Sequence, residues 1–335
     1  MFADLGSIDT AGTVLTEEQL TMCQDAGGEY MITPNVNPEV IAEAVRLDMA
    51  TLEAALLHDT LEDTEVSHEE LREKFGSDVE MLVDGVTKLA REQVKEFIRM
   101  RDDHRLALKK VKQQILSFCL RHGYRYDGTK NHWTQKHINW LRSLKVEGLY
   151  QEILEEYLLT YDYLTAKLER IEKRIEELAS EEEYREKVHK LECFLGIKTQ
   201  TALSVITETG DFKRFPDAQH YASYLGLVPG EDSSGDDRNG LSITKAGNRH
   251  VRMLLVEAAQ SYSRGQVGHK SKELSARQAG NPPAVIEYAD KANERLRRKY
   301  YRMILKSGKK TNVAKTAIAR ELACFIWGMM TENYS

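Results

Sequence analysis

The sequence is poor in residues that cross-link or interrupt a chain. Its 335 residues include 4 cysteines (Cys23, Cys119, Cys193 and Cys324), far apart and never in a CxxC pair. That spacing excludes a cysteine zinc site and a dense disulfide frame, and it predicts reduced, mostly buried thiols. Only 6 prolines occur, so long helices can run unbroken. The longest apolar stretch near the end, Leu322–Met330, is too short to cross a bilayer. No basic segment followed by an apolar run opens the chain, so no signal peptide is expected. These absences predict a protein of the cytoplasm with no membrane partner.

Charge is plentiful. Charged residues make up 30% and hydrophobic residues 41%, with a net charge of −6. This balance suits a mainly α protein with long solvated faces. The acids gather in the first ninety residues and around Glu152–Glu186, while the bases crowd the last hundred. Such asymmetry fits a polyanion partner for the basic part, or a solvated face.

Residues 1–48 read as a small α/β fragment. Gly12–Thr16 reads as a strand end, Glu17–Ala26 as a helix capped by Thr16, Tyr30–Thr33 as a strand, and Pro38–Leu47 as a helix with Pro at its first turn. The stretch AGTVLTEEQLTMCQDAGGEYMITPNVNPEVIAEAVRL resembles an internal piece of ketodeoxyphosphogluconate aldolase. The strands that carry that family's Schiff-base lysine and its acid–base glutamate are absent, so no covalent step is expected.

Residues 49–91 read as short helices: Met49–Leu57, Ser67–Phe75 and Val79–Val86, with Gly76 and Gly85 at their ends. His58-Asp59-Thr60-Leu61-Glu62-Asp63 forms an HD-x-x-ED signature. The stretch resembles the HD domain of enzymes that hydrolyse (p)ppGpp. The resemblance implies metal ligation by His58 and Asp59 and water activation by Glu62 and Asp63. Two adjacent ligands hold a metal weakly, since a catalytic metal wants at least three. The expectation is a vestigial site.

Residues 92–191 read as a coiled-coil region. Phe97, His104, Leu108, Val111, Ile115 and Phe118 recur at three- and four-residue steps, with the intervening position, Arg101, skipped. From about Glu147 a second long helix carries Tyr157, Tyr161, Leu164, Leu168, Ile171, Ile175 and Leu178 as a heptad seam. A helix of forty-odd residues would run about 60 Å. Its seam needs cover from the first helix, from a second subunit, or from both, so a homo-oligomer is expected. Trp133 and Trp140 are read as core residues, with base stacking the alternative, and His122, His132 and His137 as surface histidines.

Residues 192–265 carry an ordered set of blocks. They are Gly196-Ile197 with Thr201-Ala202, Gly210-Asp211-Phe212 with Arg214-Phe215, Tyr224–Pro229, Ser233-Ser234-Gly235, Ile243–Asn248 and Leu254–Ala259. The order and spacing resemble the C-terminal domain of transposases of the insertion-sequence family 110 (also called 116/902). On the residues themselves, the turn at Gly196 opens a helix whose N–H groups can grip phosphate together with Lys198. Ser233 and Ser234 lie in a polar glycine-rich stretch, read as a loop. Lys245, Asn248, Arg249 and Arg252 follow, placed to clamp phosphates.

Residues 266–335 form a basic helical extension. Arg295, Arg297, Arg298, Lys299 and Arg302 crowd one helix beside Tyr300 and Tyr301, and Lys306, Lys309, Lys310, Lys315 and Arg320 follow. Bases mixed with aromatics suit a nucleic-acid backbone. Ala314–Met329 is expected to pack back on the domain.

The transposase resemblance implies a bacterial, nucleoid-associated recombinase whose serine, here Ser234 or Ser233, attacks DNA. It implies a guide RNA, and magnesium held by four acids (D-E-D-D) of a RuvC-like domain ahead of the coiled coil. In this sequence aldolase-like and HD-like stretches stand there instead, without those magnesium ligands. The expectation is therefore a transposase unable to exchange strands by itself. Two alternatives remain: an HD-type (p)ppGpp hydrolase, and a non-catalytic helical nucleic-acid-binding protein.

Overall fold

A computed structural model describes the backbone of residues 10–11, 30–31, 50–51, 77–128, 131–234 and 237–334, and the side chains of 88–128, 131–230 and 242–334. The chain divides into two compact units, 1–93 and 94–335. The described residues are mainly α-helical.

In the first unit, β1 (Thr10–Ala11), β2 (Tyr30–Met31) and β3 (Ala50–Thr51) form a parallel sheet in that order. Thr10 pairs with Tyr30 and Tyr30 with Ala50. Parallel neighbours need a crossover of a dozen residues or more, and this spacing supplies it. The expected helix at Met49–Leu57 is corrected at its start, because Ala50 and Thr51 pair with β2. The helices expected at Glu17–Ala26 and Pro38–Leu47, and His58, Asp59, Glu62 and Asp63, lie outside the described residues.

Helix α1 runs unbroken over Ser77–Arg121, 45 residues. The short helix expected at Val79–Val86, ending at Gly85, is therefore the first part of a long one. An interior glycine costs about 1 kcal/mol, too little to end a helix bonded on both sides. After α2 (Gln135–Ser143), α3 (Leu149–Ala179) returns along α1. The pairing is antiparallel: Arg101, midway along α1, donates to Glu172 late in α3 (Nε–Oε1 3.0 Å), whereas Phe118, near the end of α1, meets Tyr157 and Tyr150 earlier in α3. Of the expected seam, Tyr161, Leu168, Ile171 and Ile175 are buried, and Tyr157, Leu164 and Leu178 are partly so. The seam is thus covered within one chain.

The expected forty-residue helix breaks at Ser180 and restarts as α4 (Glu182–Leu191). Ser180 Oγ bonds back to the Glu176 carbonyl at 2.8 Å, and the break turns Tyr184, Val188 and Leu191 into the main core. Trp133 and Trp140 pack against the core of the helical hairpin, Trp133 stacking on Tyr161 with centroids 5.2 Å apart. His137 corrects the surface reading. It is fully buried at 0% exposure, accepting from Trp133 N at 3.2 Å, and burial lowers its pKa, helped by His132. Its spacing did carry a hint: Trp140 at i+3 stacks on it and Leu141 at i+4 is buried beside it, while Tyr126, His132 and Trp133 close over the ring.

The main core gathers α5 (Thr199–Thr209), α6 (Ala218–Tyr224), α7 (Arg249–Ala258), α8 (Lys272–Gln278), α9 (Pro283–Tyr301) and α10 (Thr311–Met330). Helix α10 lies at its centre, packed on α6, α7 and α9, with Ile318, Leu322, Ile326 and Met329 fully buried. Small residues allow that approach: the Tyr288 hydroxyl occupies the space a Cβ on Gly328 would need. Between α6 and α7 a hairpin of β4 (Pro229–Ser234) and β5 (Asp237–Ile243) projects from this layer. Cys119 and Cys193 are buried free thiols, whereas Cys324 is half-buried. Among the described residues no helix is long and apolar enough to cross a membrane.

Candidate nucleic-acid interface

Pro283 starts α9, where its missing N–H costs nothing. One stripe of the helix (Val285, Ala289, Ala292, Leu296, Tyr300) faces the core. The other carries Arg295, Arg298 and Lys299. A π turn over Arg302–Lys306 continues α9, placing Arg302 beside them; such turns recur at functional positions. A cavity of 480 Å³ is lined by Arg295, Arg298, Lys299, Arg302 and Glu321. A larger groove of 860 Å³ shares Arg295, Lys299 and Glu321, adds Arg320, and extends to Val228 and Pro229 where β4 begins.

Glu321 organises this surface. Its side chain, 12% exposed, accepts from Arg295 Nε and Lys299 Nζ, both at 2.5 Å. Burial alone would push the Glu321 carboxyl up, but hydrogen bonds from Lys299 and Arg295 outweigh it and hold the pKa below the ordinary glutamate value. Arg298 is paired with Glu294. Five cations thus line the two cavities against three acids, Glu321, Asp217 and the Glu294 that pairs with Arg298, and Arg302 and Arg320 have no ion-pair partner among the described residues. Lys309 and Lys310 follow, exposed, before α10.

Arg297, expected among these contacts, is turned inward. It is 9% exposed, and its Nη1 donates to the carbonyls of Gln266 (2.6 Å) and His269 (3.1 Å). Arg252 likewise gives Nη1 to the Leu225 carbonyl at 2.7 Å. Both side chains are spent on the protein's own backbone. Arg249 is exposed at the start of α7, and Lys245 is exposed with φ at +58°.

The Gly196 turn is built as expected and committed to the fold. Gly196 has φ at +87°, and a Cβ there would strike the Ala258 carbonyl. Asn293 secures the turn, accepting from Leu195 N (2.8 Å) and Tyr262 (2.9 Å) and donating to the Cys193 carbonyl (3.1 Å). At the α5 start, Lys198 pairs with Glu273 at 2.9 Å and Thr199 donates to Glu192 at 2.6 Å. Acids of the chain already occupy this helix end.

Asn248 serves locally: it caps α7, accepting from Val251 N at 3.1 Å, while its amide donates to Glu208 at 2.8 Å. Glu208, with 2% of its side chain exposed, also receives both arms of Arg99 from α1 at 2.7 and 3.0 Å. Burial opposes the charge, yet the bonds from Arg99 and Asn248 keep the Glu208 pKa below its ordinary value. One carboxylate thus ties α1, α5 and the foot of α7. A lone acid inside the apolar run of α5 was the signal for it.

Ser233 and Ser234 lie on strand β4, not in a loop. Ser233 pairs with Arg238 and Ser234 with Asp237. The pairing is set from its foot, where Thr244 N donates to the Val228 carbonyl (2.9 Å) and Lys245 N to that of Gly226 (3.1 Å). A sequence without alternating apolar residues pairs here because its flanks are fixed. Among the described residues no three His, Cys, Asp or Glu side chains converge as metal ligands. The side chains described do not fit the magnesium centre that the resemblance implies.

Residues 188–274 match the model of the transposase IS116/IS110/IS902 family, and residues 15–119 match that of the HD domain. The HD match extends beyond the 49–91 stretch on both sides and takes in most of α1. The chain is 34% identical over 241 residues to transposase y4qE of Sinorhizobium fredii, covering 72% of this chain and 58% of that protein. It is 30% identical over 216 residues to the transposase for insertion sequence element IS1533 of Leptospira borgpetersenii, covering 62% and 60%. Over 94 residues it is 38% identical to a guanosine-3′,5′-bis(diphosphate) 3′-pyrophosphohydrolase of Vibrio cholerae, covering 28% of this chain and 12% of that one. The chain thus spans less than two thirds of the length of these transposases. Its C-terminal part resembles bacterial insertion-sequence transposases of the IS116/IS110/IS902 family, behind a segment that resembles the HD domain of (p)ppGpp hydrolases.

Proposed function

We propose that this chain is the DNA-engaging C-terminal part of an insertion-sequence transposase, joined to an HD-like segment and unable to exchange strands alone. The observation that carries this reading is the basic groove of α9 and α10, which runs to the foot of the strand bearing Ser233 and Ser234. DNA lies along the cations, and one of the two serines is the nucleophile. A guide RNA is the second nucleic acid on the same basic face. Leu106, Leu120, Leu159 and Tyr163, exposed on the outer faces of the helical hairpin, support pairing of two chains. A serine hydroxyl is a weak nucleophile without metal or base beside it. Gel shifts of the full chain should show DNA affinity falling as salt rises; salt-independent binding, or none, contradicts the reading. A relative's nuclease domain supplied in trans should restore strand exchange with the wild-type chain, but not with Ser233→Ala/Ser234→Ala.

The HD match over residues 15–119 favours a second reading, a (p)ppGpp hydrolase. Manganese-dependent pyrophosphate release above a His58→Ala control would establish it. The first reading expects none.

A further inference from the structure

The larger groove is not a uniformly charged channel. Its lining combines the cations Arg295, Lys299 and Arg320 with the aromatic rings of Tyr288, Phe325 and Trp327. Phe325 and Trp327 are half-buried, and Tyr288 packs edge-on against Phe325 with centroids 5.7 Å apart. Trp327 is anchored, its Nε1 donating to the Phe212 carbonyl at 3.2 Å. Arg295 lies 5.9 Å over the Phe325 ring. Gln219 and Asp217 also line the groove. Duplex DNA would use only the cations, because its bases are stacked on one another. Aromatic rings beside phosphate-binding cations, in a volume of 860 Å³, suit an unpaired nucleotide, whose ring stacks on an aromatic while its phosphate meets the cations.

We propose that this groove takes an unpaired nucleotide of a single strand, with its base on Phe325 and its phosphates on Arg295, Lys299 and Arg320. The proposal rests on the nucleic-acid reading above and narrows it to strands with unstacked bases. Gln219, which also lines the groove, has both a donor and an acceptor for a base edge. The groove then leads the strand from Arg302 to Pro229, the first residue of the serine-bearing strand.

The full chain is titrated with three probes of equal length: a deoxythymidine single strand, an abasic phosphodiester strand and a duplex. The wild type should bind the deoxythymidine strand more tightly than either other probe. Phe325→Leu should weaken the single strand by about five- to a hundredfold while leaving the abasic strand and the duplex within about twofold. Phe325→Tyr should restore the preference, and circular dichroism checks that both variants are folded. A strand carrying bromodeoxyuridine should crosslink to the peptide containing Phe325. Equal affinity for the abasic and deoxythymidine strands, or an equal loss on all probes in folded Phe325→Leu, overturns the base-accepting groove and leaves duplex binding intact. If no probe binds in a salt-dependent way, the broader nucleic-acid reading fails as well.

Discussion

Arg297 and Arg298 are neighbours on α9 with opposite surroundings. Arg297 is buried and closes the 266–269 loop through two carbonyls; Arg298 is exposed, paired with Glu294, and lines the groove. The core-facing side of the helix spends its cation on the fold, and the groove side leaves cations for a ligand. Residue type cannot separate the two duties; burial and the partner already engaged do. A basic stretch counted as one patch therefore overstates the interface.

The largest way to sharpen this contrast is Arg297→Met. Removing a buried guanidinium that donates to two loop carbonyls should cost about 2–4 kcal/mol of stability, read as a lower denaturation midpoint. Nucleic-acid affinity of the folded fraction should be unchanged. Glu208→Ala should come next, at about 2–3 kcal/mol, below the usual cost of breaking a buried pair because Arg99 is half exposed and water screens it. Arg302→Ala, on the groove side, should leave stability unaltered in the same melts.

Much of the fold was legible. The heptad from Tyr157 to Leu178 announced α3, and the α1 pattern at Phe97–Phe118 announced its partner. Periodicity could also have found Arg297: Ala289, Asn293 and Arg297 follow one another at four-residue steps along the apolar stripe, which predicts burial. The break at Ser180 was not legible, because the turn of α4 into the main core depends on contacts with elements distant in sequence, whereas the burial of His137 was written locally, in Trp133, Trp140 and Leu141, and was overlooked. The β4–β5 pairing was hidden for the same reason, its register being fixed by bonds at Val228 and Gly226. Of the candidate site, the basic residues were visible, but Glu321, which gathers Arg295 and Lys299, was hidden because its partners lie more than twenty residues away.

The two acids give a pH test. Glu208 and Glu321 are both held below the ordinary glutamate value of about 4.3. A depressed carboxyl contributes stability that is complete above the unfolded pKa and is lost as pH falls through the folded one. Stability should be level near neutrality and decline on the acid side of the glutamate range. Glu321→Gln should flatten part of that decline, measured as denaturation midpoints across pH. A small effect belongs to Arg298→Ala. Its exposed pair with Glu294 should matter by no more than about 0.5 kcal/mol.

The central claim is that the groove cations, and not the basic residues as a whole, meet nucleic-acid phosphates. The direct test is the slope of log affinity against log salt for the full chain on a single-stranded probe. Removing one cation that meets a phosphate should lower the slope by roughly one. Arg302→Ala/Arg320→Ala should lower it by about two, and Arg297→Met by nothing. Equal slopes for the wild type and the groove variant, or a drop with Arg297→Met as large as with the groove pair, would contradict the account.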